Sequence, residues 1–271
     1  MLGDTSEPIN FVDRRTFLAA GLTVLAGALS CSSATASTPP EADELQARPR
    51  VPGSPLAPGF HTLGLGVPRG LGLPLRDGLL YIPPHDESKA LPLVVLLHGA
   101  TGAAANWFGS YQQWADINQF AMLAPDSRDF TWDLLDIGSF GPDVRFIDQA
   151  LNWTFDHCRV DAERIAFAGF SDGASYALSL GLSNANFVNR IVAFSGCLLS
   201  PGRIRGKPQF YVTHGTNDGV LPINPCSRHI VSTLTAEGYG VTYTEFDGGH
   251  EVPVSVSEAA MAWLKSSWRT V

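Results

Sequence analysis

The chain has 271 residues, 45% of them hydrophobic, a formal net charge of −8 and four cysteines. Its basic residues are scattered and form no stripe that could neutralise a phosphate backbone, which excludes nucleic-acid binding as a main role. The seven histidines contain no H-E-x-x-H and no paired ligand spacing, so neither a metal nor an organic cofactor is expected.

In chain order, the first segment reads as an address. Asp13-Arg14-Arg15-Thr16-Phe17-Leu18 runs into an apolar stretch ending at Leu29, the form of a twin-arginine export signal. A membrane span needs about 20 apolar residues, and this stretch is shorter. Two processing readings stay open. Ala34-Thr35-Ala36 is an A-x-A site whose cleavage releases a protein beginning at Ser37. Ala28-Leu29-Ser30-Cys31 resembles a lipobox, in which Cys31 carries the lipid that anchors the protein to a membrane. Either way the protein is exported, as a periplasmic, secreted or lipid-anchored form. The expected organisation is an export signal over 1–36, a linker over 37–58 that is rich in Pro, Ser and Ala and adds nothing to a core, and one catalytic domain over 59–271.

Strands are predicted near 60–66, 78–82, 92–98, 120–125, 164–170, 190–195, 208–214 and 241–246. Helices are predicted near 111–118, 143–157, 172–182, 223–237 and 254–268. This alternation predicts an α/β fold with a mostly parallel central sheet covered by helices on both faces. Leu63-Gly64-Leu65-Gly66-Val67-Pro68-Arg69-Gly70 narrowly misses a dinucleotide fingerprint, with Arg69 where the third glycine belongs, and reads as a turn.

The chemistry gathers at the predicted strand ends. Leu93 to Leu97 is a buried-strand run ending in His98-Gly99-Ala100-Thr101-Gly102, where backbone N–H groups can face an oxyanion. Gly169-Phe170-Ser171-Asp172-Gly173 follows a second apolar run and opens a helix. This is the strand, sharp turn and helix context that leaves a serine Oγ exposed above a sheet. Two further strand ends offer Asp218, in His214-Gly215-Thr216-Asn217-Asp218-Gly219, and His250, after Asp247-Gly248-Gly249. Each residue also has a plainer reading. Asp before Gly is a common turn signal, Asp247 is a second candidate acid, and His98 and His214 are expected to support strand ends.

The segments LLHGATG, APDSRDFTWD, GFSDGASYALSLGL, HGTNDGVLP and FDGGHEVP, with the order Ser171, Asp218, His250, resemble the α/β-hydrolase superfamily from Leu91 to about Trp268. The likeness is to its phospholipase/carboxylesterase and polyhydroxybutyrate-depolymerase-like esterase branch. The resemblance implies Ser171 as nucleophile, His250 as general base and then acid, Asp218 as the residue orienting the imidazole, and the N–H groups of Ala100 and Asp172 as the oxyanion hole. It implies a carboxylic-ester substrate attacked through an acyl-enzyme. A peptidase or amidase with the same triad, and a catalytically silent exported lipoprotein, stay as alternatives. Where many relatives carry a third glycine after His-Gly this chain has Ala100 and Thr101, which leaves open which upstream N–H turns inward. Trp107 and Trp132 are the candidate pocket residues, although aromatic residues such as these also fill cores. Cys197 and Cys226 could approach one another as a disulfide, or could be small buried hydrophobes like Cys158.

Overall fold

The computed structural model describes residues 41–66 and 75–268. The expected export signal, with Arg14, Arg15, Cys31 and both processing sites, lies outside the described residues, as does the second half of the glycine-rich turn, 67–70.

Eight strands form one sheet: β1 (Gly59–Thr62), β2 (Gly78–Ile82), β3 (Leu91–Leu97), β4 (Ala121–Pro125), β5 (Val160–Phe170), β6 (Arg190–Phe194), β7 (Gln209–Gly215) and β8 (Val241–Phe246). Their order across the sheet is β1-β2-β4-β3-β5-β6-β7-β8. β1 and β2 run antiparallel to their neighbours, and every pair from β4 through β8 is parallel. The helices are α1 (Ser110–Asn118), α2 (Asp133–Asp136), α3 (Pro142–His157), α4 (Asp172–Ser183), α5 (His229–Ala236) and α6 (Val254–Ser267).

Because helices cover both faces, the central strands carry buried apolar runs, such as Leu93–Leu97 and Ile165–Ala168, whose side chains divide by parity. Leu93, Val95 and Leu97 of β3, Phe167 of β5 and Ile191 of β6 join one buried cluster, which includes Phe146, Ile147, Leu151 and Phe155 of α3. Val94 and Leu96 of β3, Ala166 and Ala168 of β5 and Phe194 of β6 join the other, with Met261 and Leu264 of α6. Fully parallel pairing also brings the carboxyl ends of β3, β5, β7 and β8 to one edge, which is where the site is built.

The expected linker is corrected over its described part. Leu45 is fully buried, and Asp43 and Ala47 are nearly so. Asn184, at the end of α4, accepts the Leu45 N–H at 2.9 Å and donates to the Asp43 carbonyl at 2.7 Å. The Asp43 carboxylate meets the Arg205 guanidinium at 3.2 Å, and Asp148 of α3 accepts the N–H groups of Gln46 and Ala47. A segment without regular periodicity is thus held as a strap, because hydrogen-bonding side chains elsewhere satisfy its backbone. Its buried apolar side chains are Leu45 and Ala47, with Leu56 partly buried, too sparse a signal to stand out among charged residues and prolines. Two short elements also went unpredicted: a 3₁₀ turn over Ala104–Trp107 and α2. The helix expected from 223 begins instead with an irregular turn over Asn224–Arg228, broken at Cys226 (φ −98°, ψ −106°), before α5 continues regularly.

Candidate active site

β5 ends at Phe170, and the chain reverses into α4 through Ser171, whose φ of 57° and ψ of −120° lie in a region that side-chain-bearing residues seldom occupy. Holding a serine there costs on the order of 1–3 kcal/mol, a strain the packed strand and helix on either side sustain. Both flanking glycines are required by close approach. A Cβ on Gly169 would run into the Gly173 carbonyl, and one on Gly173 into the Leu97 carbonyl at the end of β3.

The residues expected at the other strand ends meet this serine. His250 Nε2 lies 2.9 Å from Ser171 Oγ, and His250 Nδ1 lies 2.7 Å from Asp218 Oδ2. Since a carboxylate only accepts, Nδ1 carries the proton and the neutral ring presents Nε2 as an acceptor to the serine hydroxyl. The Phe170 ring packs against the imidazole with centroids 4.7 Å apart. Asp218 Oδ1 accepts the N–H groups of Val220 and Leu221 at 2.9 and 2.8 Å. Burial pushes the Asp218 carboxyl up, but the His250 bond and these two N–H groups outweigh it and hold it below the ordinary range. Asp247, the second candidate acid, is exposed and accepts a bond from Asn217 Nδ2 at 2.7 Å. The chain can fold back at this corner because Gly215 leaves room for the carbonyls of Gly248 and Gly249.

The loop after β3 lies against the elbow: a Cβ on Gly99 would stand 3.3 Å from that of Ser171. Thr101, at φ 60°, gives its N–H to the Phe130 carbonyl at 2.6 Å, and Gly102 gives its own to Gly99 at 3.0 Å. With those two donors spent, Ala100 N–H stays among the candidate upstream donors, and the N–H of Asp172 at the start of α4 is the candidate on the elbow itself. The Asp172 side chain is held by Thr131, whose Oγ1 donates to Oδ2 at 2.6 Å.

His98 was expected to support this strand end, but the partners through which it holds the loop were not foreseen. His98 Nδ1 donates to the Gly99 carbonyl at 2.7 Å, so Nε2 is the acceptor for Ser127 N–H at 2.9 Å and Arg76 Nη2 at 3.0 Å. Burial first, and then the nearby charges of Arg76 and Arg128, pull the His98 imidazole down to about 4 and keep it neutral. Arg76 also donates to the carbonyls of Ser127 and Gly102. Beneath it, Asp133 and Asp143 exchange backbone bonds: Asp143 Oδ2 accepts Asp133 N–H at 2.6 Å, and Asp133 Oδ2 accepts Asp143 N–H at 2.9 Å. Lone Arg and Asp residues spread from Arg76 to Asp143 carry no local pattern that would announce such a network.

The two candidate pocket residues are corrected. Trp132 is fully buried, stacks on Tyr176 and donates its indole N–H to the His98 carbonyl at 2.8 Å, so it braces the loop from below. Trp107 is 5% exposed and packs edge-on against Tyr111 within the second core cluster. Phe130, by contrast, is 51% exposed in the loop that accepts the Thr101 N–H. Cys197 and Cys226 form a disulfide that ties the loop after β6 to the turn before α5, while Cys158 is free and buried.

A serine at a strained strand-to-helix turn, reached by a histidine and an acid from later strands of one parallel sheet, defines an α/β-hydrolase. The chain has that fold. Residues 144–267 match a family model described as phospholipase/carboxylesterase. Among known proteins, the chain is 33% identical over 102 residues to Feruloyl esterase D of Neurospora crassa, covering 37% of this chain and 34% of that protein. It is 30% identical over 158 residues to Probable feruloyl esterase C of Aspergillus clavatus, covering 55% of this chain and 57% of that protein. The matches thus span about a third and just over half the length of these relatives. The solved structure of esterase PE8 superposes with a TM-score of 0.58 at 25% identity, over 69% of this chain and 96% of that one. A ferulic acid esterase of Anaeromyces mucronatus, solved with ferulic acid, shares the fold at a TM-score of 0.56 and 17% identity, over 77% of this chain and 90% of that one.

Proposed function

We propose that this protein is a carboxylic-ester hydrolase that works through a serine acyl-enzyme, and that its substrates include esters of hydroxycinnamic acids, small or carried on a polymer. The observation that supports it most is the unbroken relay from Ser171 Oγ through His250 to Asp218, at 2.9 and 2.7 Å. A serine hydroxyl is a weak nucleophile at its own pKa. Here His250 Nε2 takes its proton as Oγ attacks the ester carbonyl, and Asp218 holds the ring and stabilises the imidazolium that forms. Charge building on the carbonyl oxygen is met by the N–H groups of Ala100 and Asp172 and by the positive end of α4. One donor of this kind is worth roughly 3–4 kcal/mol of barrier. His250 then protonates the departing alcohol, and water, deprotonated by the same ring, releases the acid.

Support for the acyl group comes from the relatives named as feruloyl esterases. Ser171→Ala is expected to abolish hydrolysis of methyl ferulate while the thermal unfolding midpoint stays put, because the Oγ removed contributes nothing to the core. Turnover that persists in a folded Ser171→Ala protein would remove the nucleophile assignment. Comparing methyl ferulate with the corresponding anilide separates an esterase from an amidase, and comparing it with an acetyl ester tests the aryl preference.

Export through the Arg14-Arg15 signal belongs to the same proposal. Replacing both arginines with lysine keeps the charge and is expected to leave the protein in the cytoplasm. Mass spectrometry of the mature N-terminus distinguishes Ser37 from a lipidated Cys31. No described helix is long and apolar enough to cross a membrane.

A further inference from the structure

Asp218 is approached by two histidines, and the reaction needs only one. Besides His250, the imidazole of His214 at the end of β7 lies with Nε2 3.1 Å from the same Oδ2 oxygen, and neither side chain of that pair has any exposed surface. The proton on this nitrogen is set by its other neighbour. His214 Nε2 stands 2.8 Å from the Leu221 carbonyl, which can only accept, so Nε2 carries a hydrogen bonded to Leu221 O, and this N–H group also faces Asp218 Oδ2 at 3.1 Å. In the neutral ring Nδ1 is then the acceptor, and Ser227 Oγ donates to it at 2.5 Å. Ser227 is itself confined. It follows Cys226, which is bonded to Cys197, and its Oγ is 3.4 Å from the carbonyl of Gly196, the residue before Cys197.

These contacts divide the carboxylate into two differently held oxygens. Oδ1 has two backbone donors from its own turn, whereas Oδ2 has two imidazoles, one of which gains and loses a proton in every catalytic cycle. Resting on the reading of Asp218 as the triad acid, we propose that His214 is a positioning residue for the hydrolysis. Its Nε2–H keeps Oδ2 in place while His250 cycles between imidazole and imidazolium, and Ser227, held by the disulfide, keeps the His214 ring turned that way. A purely apolar residue at 214 could fill the same buried volume, but it would leave Oδ2 dependent on the mobile partner alone and the Leu221 carbonyl without its donor.

The test compares three variants of the full chain. His214→Phe keeps a ring and removes both nitrogens; it is expected to lower kcat for methyl ferulate about 10- to 100-fold with KM within twofold, since substrate does not touch it. His214→Gln places an amide N–H near the former Nε2 and is expected to recover most of that loss. Ser227→Ala frees the ring to turn and is expected to cost several-fold in kcat, and it carries the test should His214→Phe not fold. Unchanged kcat in His214→Phe or Ser227→Ala, a loss carried by KM, or equal losses in the Phe and Gln proteins would overturn the proposal. A substrate-free readout keeps this separate from the esterase reading. The low-field proton NMR signal of the His250–Asp218 bond is expected to move or vanish in His214→Phe and return in His214→Gln. A signal indifferent to residue 214 refutes the positioning role even if no ester is turned over.

Discussion

The two sides of the candidate site are built by different means. On the side of β7 and β8, the proposed chemistry is a short line of side chains, Ser171 to His250 to Asp218, each touching the next. On the side of β3, the proposed chemistry is backbone N–H, and the side chains only support it: His98, Arg76, Ser127 and Trp132 bond to carbonyls and to one another beneath the Gly99–Gly102 loop. A side-chain relay is sensitive to the identity of its members, whereas a backbone donor is indifferent to its own residue type and sensitive to whatever holds the loop. The difference makes the identities of Ala100 and Thr101 secondary: the N–H of Thr101 is spent on Phe130, and the loop's position comes from Arg76 and His98.

The largest effect should come from the relay. Asp218→Asn is expected to lower kcat by about 10⁴, the loss seen when a triad acid becomes an amide and leaves histidine in the wrong tautomer. Asp247→Asn should change it less than threefold, because Asp247 bonds only Asn217. Steady-state kinetics on both variants decides this, and the reverse ranking would move the acid to Asp247.

Next comes the opposite side. His98→Leu removes the acceptor that Ser127 N–H and Arg76 share, and the displaced loop is expected to cost about 10²–10³ in kcat, the range for losing one oxyanion donor. Ala100→Gly should be nearly silent, since only its N–H is in play. If His98→Leu left kcat intact in a folded protein, the contrast between the two sides would fail.

Away from the site, Leu45→Ala tests the strap. A fully buried leucine truncated to alanine costs about 2–5 kcal/mol, so the urea midpoint should fall while kcat at low temperature is kept. An unchanged midpoint would return residues 41–58 to the status of a linker.

The smallest effect concerns pH. Burial, followed by the charge of Asp133, pushes the Asp143 carboxyl up to about 6. A carboxyl raised on folding contributes stability that is fully present below its ordinary value of 3.8 and is lost as pH rises through about 6. The stability of the parent relative to Asp143→Asn should therefore grow as pH falls from 7 to 4, by on the order of 2–3 kcal/mol at about 1.4 kcal/mol per unit. Denaturation at several pH values measures this, and a difference flat with pH would remove Asp143 as its source.

The sequence by itself determined the sheet and most helices, and it singled out Ser171, Asp218 and His250, which the fold brings into contact. These are properties of short segments: buried parallel strands are apolar throughout, an elbow demands glycine at both ends, and strand ends in a parallel sheet converge on one edge. What only the tertiary structure decided is how each piece is held. Trp132 looked like a pocket wall and is a brace under His98. Residues from Asp43 to Ala47 looked like a linker and are pinned by Asn184, Asp148 and Arg205. His214 looked like a strand-end residue and reaches the acid itself. Such bonds join positions far apart in the chain or turned together by a loop, so their partners share no spacing or period. A buried polar group is identified only by the donor or acceptor that folding sets against it.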